Sequence, residues 1–112
     1  MARKRRSLID FINNCTEQNP NFDFYNIKHS LEVQKLHECI NNSNYVKCDD
    51  NIIPHNFHSI SKGKKHGIEC EIDPNVVSDY ENLKEELDDW NFKISKTKKN
   101  IKITSNLEKK EN

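Results

Sequence analysis

The chain has 112 residues, of which 33% are hydrophobic and 32% are charged, and its 18 basic residues balance its 18 acidic ones. This length predicts one domain, with a core of about 60–80 residues and disordered ends. No stretch of about 18 apolar residues occurs, and the basic N-terminus lacks the apolar segment of a secretory signal, so we expect neither a membrane span nor secretion.

Residues 1–6 form a basic N-terminal arm that contains Arg3, Lys4, Arg5 and Arg6. Such a cluster is typical of a nuclear-import signal or of an arm that contacts phosphates, and it would also serve as a solubilising end. Four cysteines without a secretory signal favour reduced thiols. We therefore predict a nuclear protein, with a cytoplasmic one as the alternative.

Two helical patterns follow the arm. A helix is predicted from Ser7 to Gln18, because apolar residues recur there at helical spacing and Ser7 is a suitable N-cap. A second helical pattern covers residues 24–42. It forms either one long helix or two helices, with Ser30 as the cap of the second; a helix-turn-helix requires the break.

A β-hairpin is predicted next. Residues 68–72 alternate between apolar and polar positions, residues 57–61 can pair with them, and the loop 62–67 contains both glycines of the chain. Lys62, Lys64 and Lys65 lie in this loop. A short strand is expected at Tyr45–Cys48, before the hairpin.

A C-terminal helix is predicted over residues 74–90, because Asp73-Pro74 is a strong helix start. Its apolar positions either close the core or bind a protein partner or a second copy of the chain; the candidate contact residues are Tyr80, Leu83, Leu87 and Trp90. Residues 93–112 are predicted to be a basic tail with a marginal strand near residues 100–104.

No residue pattern indicates catalysis or a cofactor. Among the histidines and cysteines only His55/His58 and His37/Cys39 are as closely spaced as the ligand pairs of structural zinc sites, and neither is a CxxC pair; a small zinc-stabilised module is an alternative. No thiol is marked as activated, and no glycine-rich phosphate loop occurs. We therefore expect a protein that is not an enzyme and holds no metal.

Basic residues point to nucleic-acid binding through the arm, the hairpin loop and the tail, since phosphate contacts need only cations within reach. Base readout would fall to the exposed face of the helix around Gln34 and Lys35. The acidic middle of the chain favours the rival prediction, a protein-interaction subunit without nucleic-acid contact.

Residues 32–57, EVQKLHECINNSNYVKCDDNIIPHNF, resemble the helix–strand–wing segment of winged-helix domains, particularly the type that binds Z-form nucleic acid. The shared features are Glu32-Val33, Lys35, Val46, Asp49-Asp50, Ile53-Pro54 and Phe57. Gln34 stands where that family has a phosphate-binding asparagine. The resemblance implies an α+β winged-helix-like domain over residues 7–92, with about three N-terminal helices, a β-wing and a C-terminal helix. It also implies an accessory subunit of a transcription, chromatin or nucleic-acid-modifying complex that contacts DNA or RNA.

Overall fold

A computed structural model describes residues 7–47 and 54–107. Within these ranges the fold is α+β: two helices precede a β-hairpin, and a third helix leads into a second hairpin. The elements are α1 (Leu8–Gln18), α2 (Ile27–Asn42), β1 (His55–Lys62), β2 (Lys65–Ile72), α3 (Tyr80–Asp89), β3 (Phe92–Lys96) and β4 (Ile101–Ser105). The strands form one antiparallel sheet in the order β1-β2-β4-β3.

Helix α1 agrees with its sequence prediction. The Ser7 hydroxyl oxygen accepts a hydrogen bond from the Asp10 backbone N–H at 3.1 Å. Such a cap stabilises a helix by about 1 kcal/mol, because it satisfies a backbone donor that the first turn leaves unpaired. Phe11, Ile12 and Cys15 form the buried stripe of the helix.

Helix α2 runs without interruption from Ile27 to Asn42. The break at Ser30 that a helix-turn-helix requires is therefore absent, and the prediction of a third helix before the wing is wrong. The hydroxyl of Ser30 donates to the Ile27 carbonyl within the helix at 3.3 Å. The N-cap is Asn26, whose side chain accepts from the Lys28 N–H at 2.9 Å.

The hairpin of β1 and β2 confirms the predicted antiparallel pairing, with Ser59 opposite Ile68 and Lys62 opposite Lys65. Gly63 occupies the turn with a φ of 62°, a conformation that glycine adopts without steric cost. Gly67 has a different role from the predicted one, because it lies within β2. There a Cβ atom would come within 2.7 Å of the Ser105 Cβ.

The predicted helix over residues 74–90 divides into two parts. Asp73 caps only a 3₁₀ turn at Pro74–Val76, and α3 begins at Tyr80 with Asp79 as its N-cap. Between them, Val77 forms an isolated bridge with Val46. This bridge is all that the described residues show of the strand predicted at Tyr45–Cys48, and Cys48 lies outside them.

The strand predicted near residues 100–104 is confirmed as β4, whereas residues 93–96, which were predicted as basic tail, belong to β3. Strand β4 lies between β2 and β3, with Cys70 opposite Ile103 and Ile94 opposite Ile103 on its other side. Ile101 and Ile103 are almost completely buried. The sheet therefore extends well past the predicted domain boundary at residue 92.

The core lies between one face of the sheet and the helices. Helix α2 packs on β2, and α3 packs on β3. Asn19, at the end of α1, donates through its amide to the Pro54 carbonyl and accepts from the Phe57 N–H, each at 3.1 Å. These contacts fix α1 against the start of β1. Strands β1 and β3 remain as the two edges of the sheet, and β3 is the edge beside α3.

Candidate interaction surfaces

The hairpin tip carries the predicted phosphate-contacting lysines. Lys62, Lys64 and Lys65 are all exposed and surround the turn at Gly63. The ladder between β2 and β4 stops at Glu69 opposite Thr104, whereas the ladder between β1 and β2 continues to the tip. The tip is therefore a projecting cationic end of the sheet. The other lysine-rich turn, between β3 and β4, lies at the opposite end, because β4 starts opposite Ile72.

The face of α2 around Gln34 and Lys35, which was predicted to read bases, does not have the polar and basic character that base readout requires. The Lys35 amino group lies 3.4 Å from a Glu32 carboxylate oxygen and 5.6 Å from the centroid of the Phe92 ring. Gln34 is exposed, but the helix face that it shares begins with Ile27 and Leu31, which are 87% and 64% exposed. An apolar face with a folded-back lysine is poorly suited to a phosphate backbone.

Two more regions were predicted to contact nucleic acid: the N-terminal arm and the C-terminal tail. Arg3, Lys4, Arg5 and Arg6 lie outside the described residues. The lysines of the predicted tail that fall between residues 93 and 102 lie on or between β3 and β4. The structure thus brings Lys62, Lys64 and Lys65 together at the hairpin tip, whereas Lys35 lies on α2 and is engaged in an ion pair with Glu32.

The predicted partner-binding helix contributes mostly to the core. Leu83 and Leu87 are each 1% exposed, so they belong to the interior of this chain and offer no surface to another protein. Tyr80 is half-buried, and its hydroxyl donates to the Ile94 carbonyl at 3.3 Å. Trp90 is 37% exposed, which makes it the accessible member of the four.

A groove of about 870 Å³ lies between the outer side of α3 and strand β3. Residues of α3 form one wall, and Phe92, Lys93 and Ile94 form the other. Sequence reasoning missed this groove, because β3 was assigned to a tail. The available signal was the alternation of Phe92 and Ile94 with polar residues, a period of two that is typical of a strand.

The hydrogen-bonding direction of β3 can be read from the bonds at its two ends. Just before the strand, the Asn91 carbonyl accepts from the Asn106 N–H, and just after it, the Thr97 N–H donates to the Asn100 carbonyl. Since neighbouring residues of a strand point their backbone groups in opposite directions, odd-numbered residues here face β4. The backbone groups of Phe92, Ile94 and Lys96 therefore face away from the sheet.

The Tyr80 contact agrees with this direction, because its hydroxyl reaches the Ile94 carbonyl from the side of α3. Among the described residues, β3 pairs with β4 alone. An edge of this kind presents a row of N–H and C=O groups to which another strand can pair. The groove thus combines a strand edge that no other described strand covers with a helix alongside it. Because the Ile94 carbonyl already accepts from the Tyr80 hydroxyl, an added strand would pair mainly with the other outward groups of β3.

The groove is predominantly acidic. Its lining contains four carboxylates and two amino groups: Glu81, Glu85, Asp88 and Asp89 against Lys84 and Lys93. All six are exposed to solvent. Glu81, Glu85 and Asp88 recur at four- and three-residue steps, so they share one side of α3. An incoming ligand therefore meets a line of negative charge.

The uncovered face of the sheet is a satisfied polar surface. The Glu69 carboxylate lies 2.7 Å from the His58 Nε2 and accepts from the Thr104 hydroxyl at 2.9 Å. The Lys102 amino group lies 4.0 Å from the same carboxylate. Because these side chains bind one another, the face offers few groups for a ligand to contact.

The thiols of Cys39 and Cys70 are poor nucleophiles and poor metal ligands in this fold, because each is held in the neutral form. Burial, followed by the charges of Glu86 and Asp89, raises the pKa of the Cys39 thiol to about 12. Burial also raises the pKa of Cys70 well above its ordinary value. Within residues 7–47 and 54–107, no three His, Cys, Asp or Glu side chains are arranged to hold a metal ion.

No protein family, characterised protein or solved structure matches this chain significantly. Among the described residues, none of the helices is both long enough and apolar enough to cross a bilayer. The surfaces must therefore be interpreted from their own geometry.

Proposed function

We propose that this chain is a protein-interaction domain that receives an extended segment of a partner protein at the open edge of β3. The observation that carries the proposal is the outward direction of the backbone groups of Phe92, Ile94 and Lys96. Of these three residues, Phe92 and Ile94 also line the groove beside α3. Addition of a strand to such an edge is a recurrent mode of peptide recognition, in which main-chain hydrogen bonds supply affinity and side-chain pockets supply specificity.

The local structure supports this mode of binding. Phe92 and Ile94 are held on the core side of the sheet, so the strand is fixed before any partner arrives. A preformed edge avoids part of the ordering cost that binding otherwise incurs. No catalytic step is part of the proposal.

The substitution Lys96→Pro tests whether peptides pair with the outward edge of β3. The Lys96 N–H faces outward and its side chain is exposed, so Lys96→Pro removes one donor from the edge without removing a bond to β4. Peptides are first selected from a random displayed library on the unaltered chain, and their affinities are then measured for Lys96→Pro and for the control Lys96→Ala.

We expect Lys96→Pro to weaken the selected peptides by about tenfold, the effect of one lost or unsatisfied hydrogen bond of about 1.4 kcal/mol. Lys96→Ala should change their affinity by less than about threefold, because a surface lysine contributes little. Equal binding to both variants would show that the peptides use another surface, and the edge would then not be the site.

Nucleic-acid binding is the second function that we propose for the chain, in the form that the winged-helix resemblance implies. It is supported by the three exposed lysines around the turn of the β1–β2 hairpin, which would act as the wing. A nuclear location belongs to this proposal, since the Arg3–Arg6 cluster is typical of an import signal. The partner at β3 would then place the chain in a larger nucleic-acid-binding assembly.

Salt dependence tests this second function. Each phosphate contact adds to the slope of log affinity against log salt. Binding to duplex DNA and RNA should therefore show a clear slope that Lys62→Ala/Lys64→Ala/Lys65→Ala reduces, whereas Lys98→Ala/Lys99→Ala, at the opposite turn, should leave it unchanged. The absence of binding at low salt, or equal slopes for both variants, would contradict nucleic-acid recognition by the wing.

A further inference from the structure

The β3 groove also indicates the chemistry of its ligand. We infer, on the basis of the proposed function, that the partner segment is a basic one, extended in conformation, with lysine or arginine at alternate positions. The inference depends on two properties of the groove: the direction of the open edge and the charge of the wall that faces it.

The first step concerns the direction of side chains in an added strand. A strand paired with β3 continues the sheet, so its side chains alternate between the two sheet faces. One set lies on the outer face, next to Lys93 and Ser95. The other set lies on the core side, next to Phe92 and Ile94, and this is the side on which α3 packs.

The second step concerns what that second set meets. Every other side chain of the added strand points toward α3, whose groove side carries Glu81, Glu85 and Asp88. The β3 wall of the groove contributes little apolar surface, because Phe92 and Ile94 are 1% and 7% exposed. Long side chains that end in a positive charge fit this arrangement. Their aliphatic stems lie against β3, and their charged ends reach the carboxylates of α3.

Charge complementarity thus selects the occupant. An acidic segment would place like charges along the wall, which lowers affinity and excludes wrong partners. On the outer face, Lys93 and Ser95 impose no such selection. The pattern that we infer is basic residues at every second position, with small or polar residues between them.

The test uses two synthetic peptides of ten residues, one that alternates threonine with lysine and one that alternates threonine with glutamate. Binding is measured by fluorescence polarisation at low and high salt. The charge-reversed variant is Glu81→Lys/Glu85→Lys, and Glu85→Lys alone serves as a milder variant if the double one is poorly folded. The control is Glu17→Lys/Glu38→Lys, which makes the same change in charge on α1 and α2.

We expect the lysine peptide to bind the unaltered chain. Its affinity for the Glu81→Lys/Glu85→Lys variant should be about tenfold lower, because two ion pairs become two repulsions. The control variant should lose no more than about threefold in affinity for the lysine peptide. The glutamate peptide should bind the Glu81→Lys/Glu85→Lys variant more tightly than it binds the unaltered chain. Equal affinities of the two peptides for the unaltered chain, or equal losses in the groove and control variants, would overturn the inference.

Two further results separate this inference from the proposed function. If library-selected peptides lose affinity for Lys96→Pro but contain no excess of basic residues, the edge is a binding site and the inferred chemistry is wrong. If deletion of residues 1–6 raises the affinity for the lysine peptide, the chain's own basic arm competes for the groove, and the assignment of a partner segment is overturned.

Discussion

Gly67 offers the sharpest test of how the two hairpins fit together. It lies in β2, where a Cβ atom would come within 2.7 Å of the Ser105 Cβ and 2.8 Å of the Leu107 Cδ2. The first contact is the more serious, because a Cβ is attached directly to the backbone and cannot rotate away. Moreover, the Ser105 hydroxyl accepts from the Ile68 N–H at 3.0 Å, so any shift of Ser105 also disturbs that hydrogen bond.

We therefore expect Gly67→Ala to lower the free energy of unfolding by about 1–3 kcal/mol, the usual cost of one extra methyl group in a tightly packed site. Gly63 provides the contrast. Its φ is 62°, but a Cβ there would meet no atom within 4 Å. Because asparagine tolerates this backbone region, Gly63→Asn should cost less than about 1 kcal/mol.

Urea unfolding followed by circular dichroism measures both variants. The midpoint should fall for Gly67→Ala with an unchanged slope, since a packing defect alters stability without altering the surface exposed on unfolding. A Gly67→Ala protein as stable as the parent would refute the close approach of β2 to the end of β4, and with it the insertion of β4 beside β2 that leaves β3 at the edge.

Two other predictions concern the core. Native Cys39 and Cys70 thiols stay neutral to high pH, whereas the thiols of an unfolded chain ionise near the ordinary pKa of 9.0. The unfolded state is therefore favoured as pH rises from 9 to about 12, so the free energy of unfolding should decline over that window, and less steeply in Cys39→Ala/Cys70→Ala; equal declines would contradict the raised pKa values. Leu83→Ala should cost about 2–5 kcal/mol in urea unfolding, whereas Trp90→Ala at the surface should cost much less, and the reverse order would contradict the packing of α3.

The sequence predicted those elements whose signals are local. The Ser7 cap and the apolar stripe of α1 lie within one helix, and the hairpin between β1 and β2 needs only alternation and a glycine at its turn. Each of these features is decided by residues a few positions apart.

Two errors came from signals that neighbouring structure overrides. Ser30 resembles a cap, but its hydroxyl is equally well bonded inside a helix, and no glycine or proline interrupts α2. Asp73-Pro74 starts a helical turn as predicted, but the chain then extends so that Val77 can pair with Val46. That pairing joins distant segments and leaves no local mark.

The groove was missed for a related reason. Strands β3 and β4 have lysines on their solvated face, so their composition resembles that of a disordered tail. Ile94 and Ile103 reveal their role only when β4 inserts beside β2, a pairing between residues about 30 positions apart. The open edge of β3 follows from the strand order and cannot be read from any single segment.

Hydrogen exchange of the β3 amides, measured by NMR, tests the central claim most directly. In the free chain, the outward N–H groups of Ile94 and Lys96 should exchange much faster than those of Lys93 and Ser95, which bond to β4. Addition of a library-selected peptide should slow hydrogen exchange specifically at the N–H groups of Ile94 and Lys96. Uniform protection along β3 in the free chain, or peptide-induced protection confined to another element, would contradict the account.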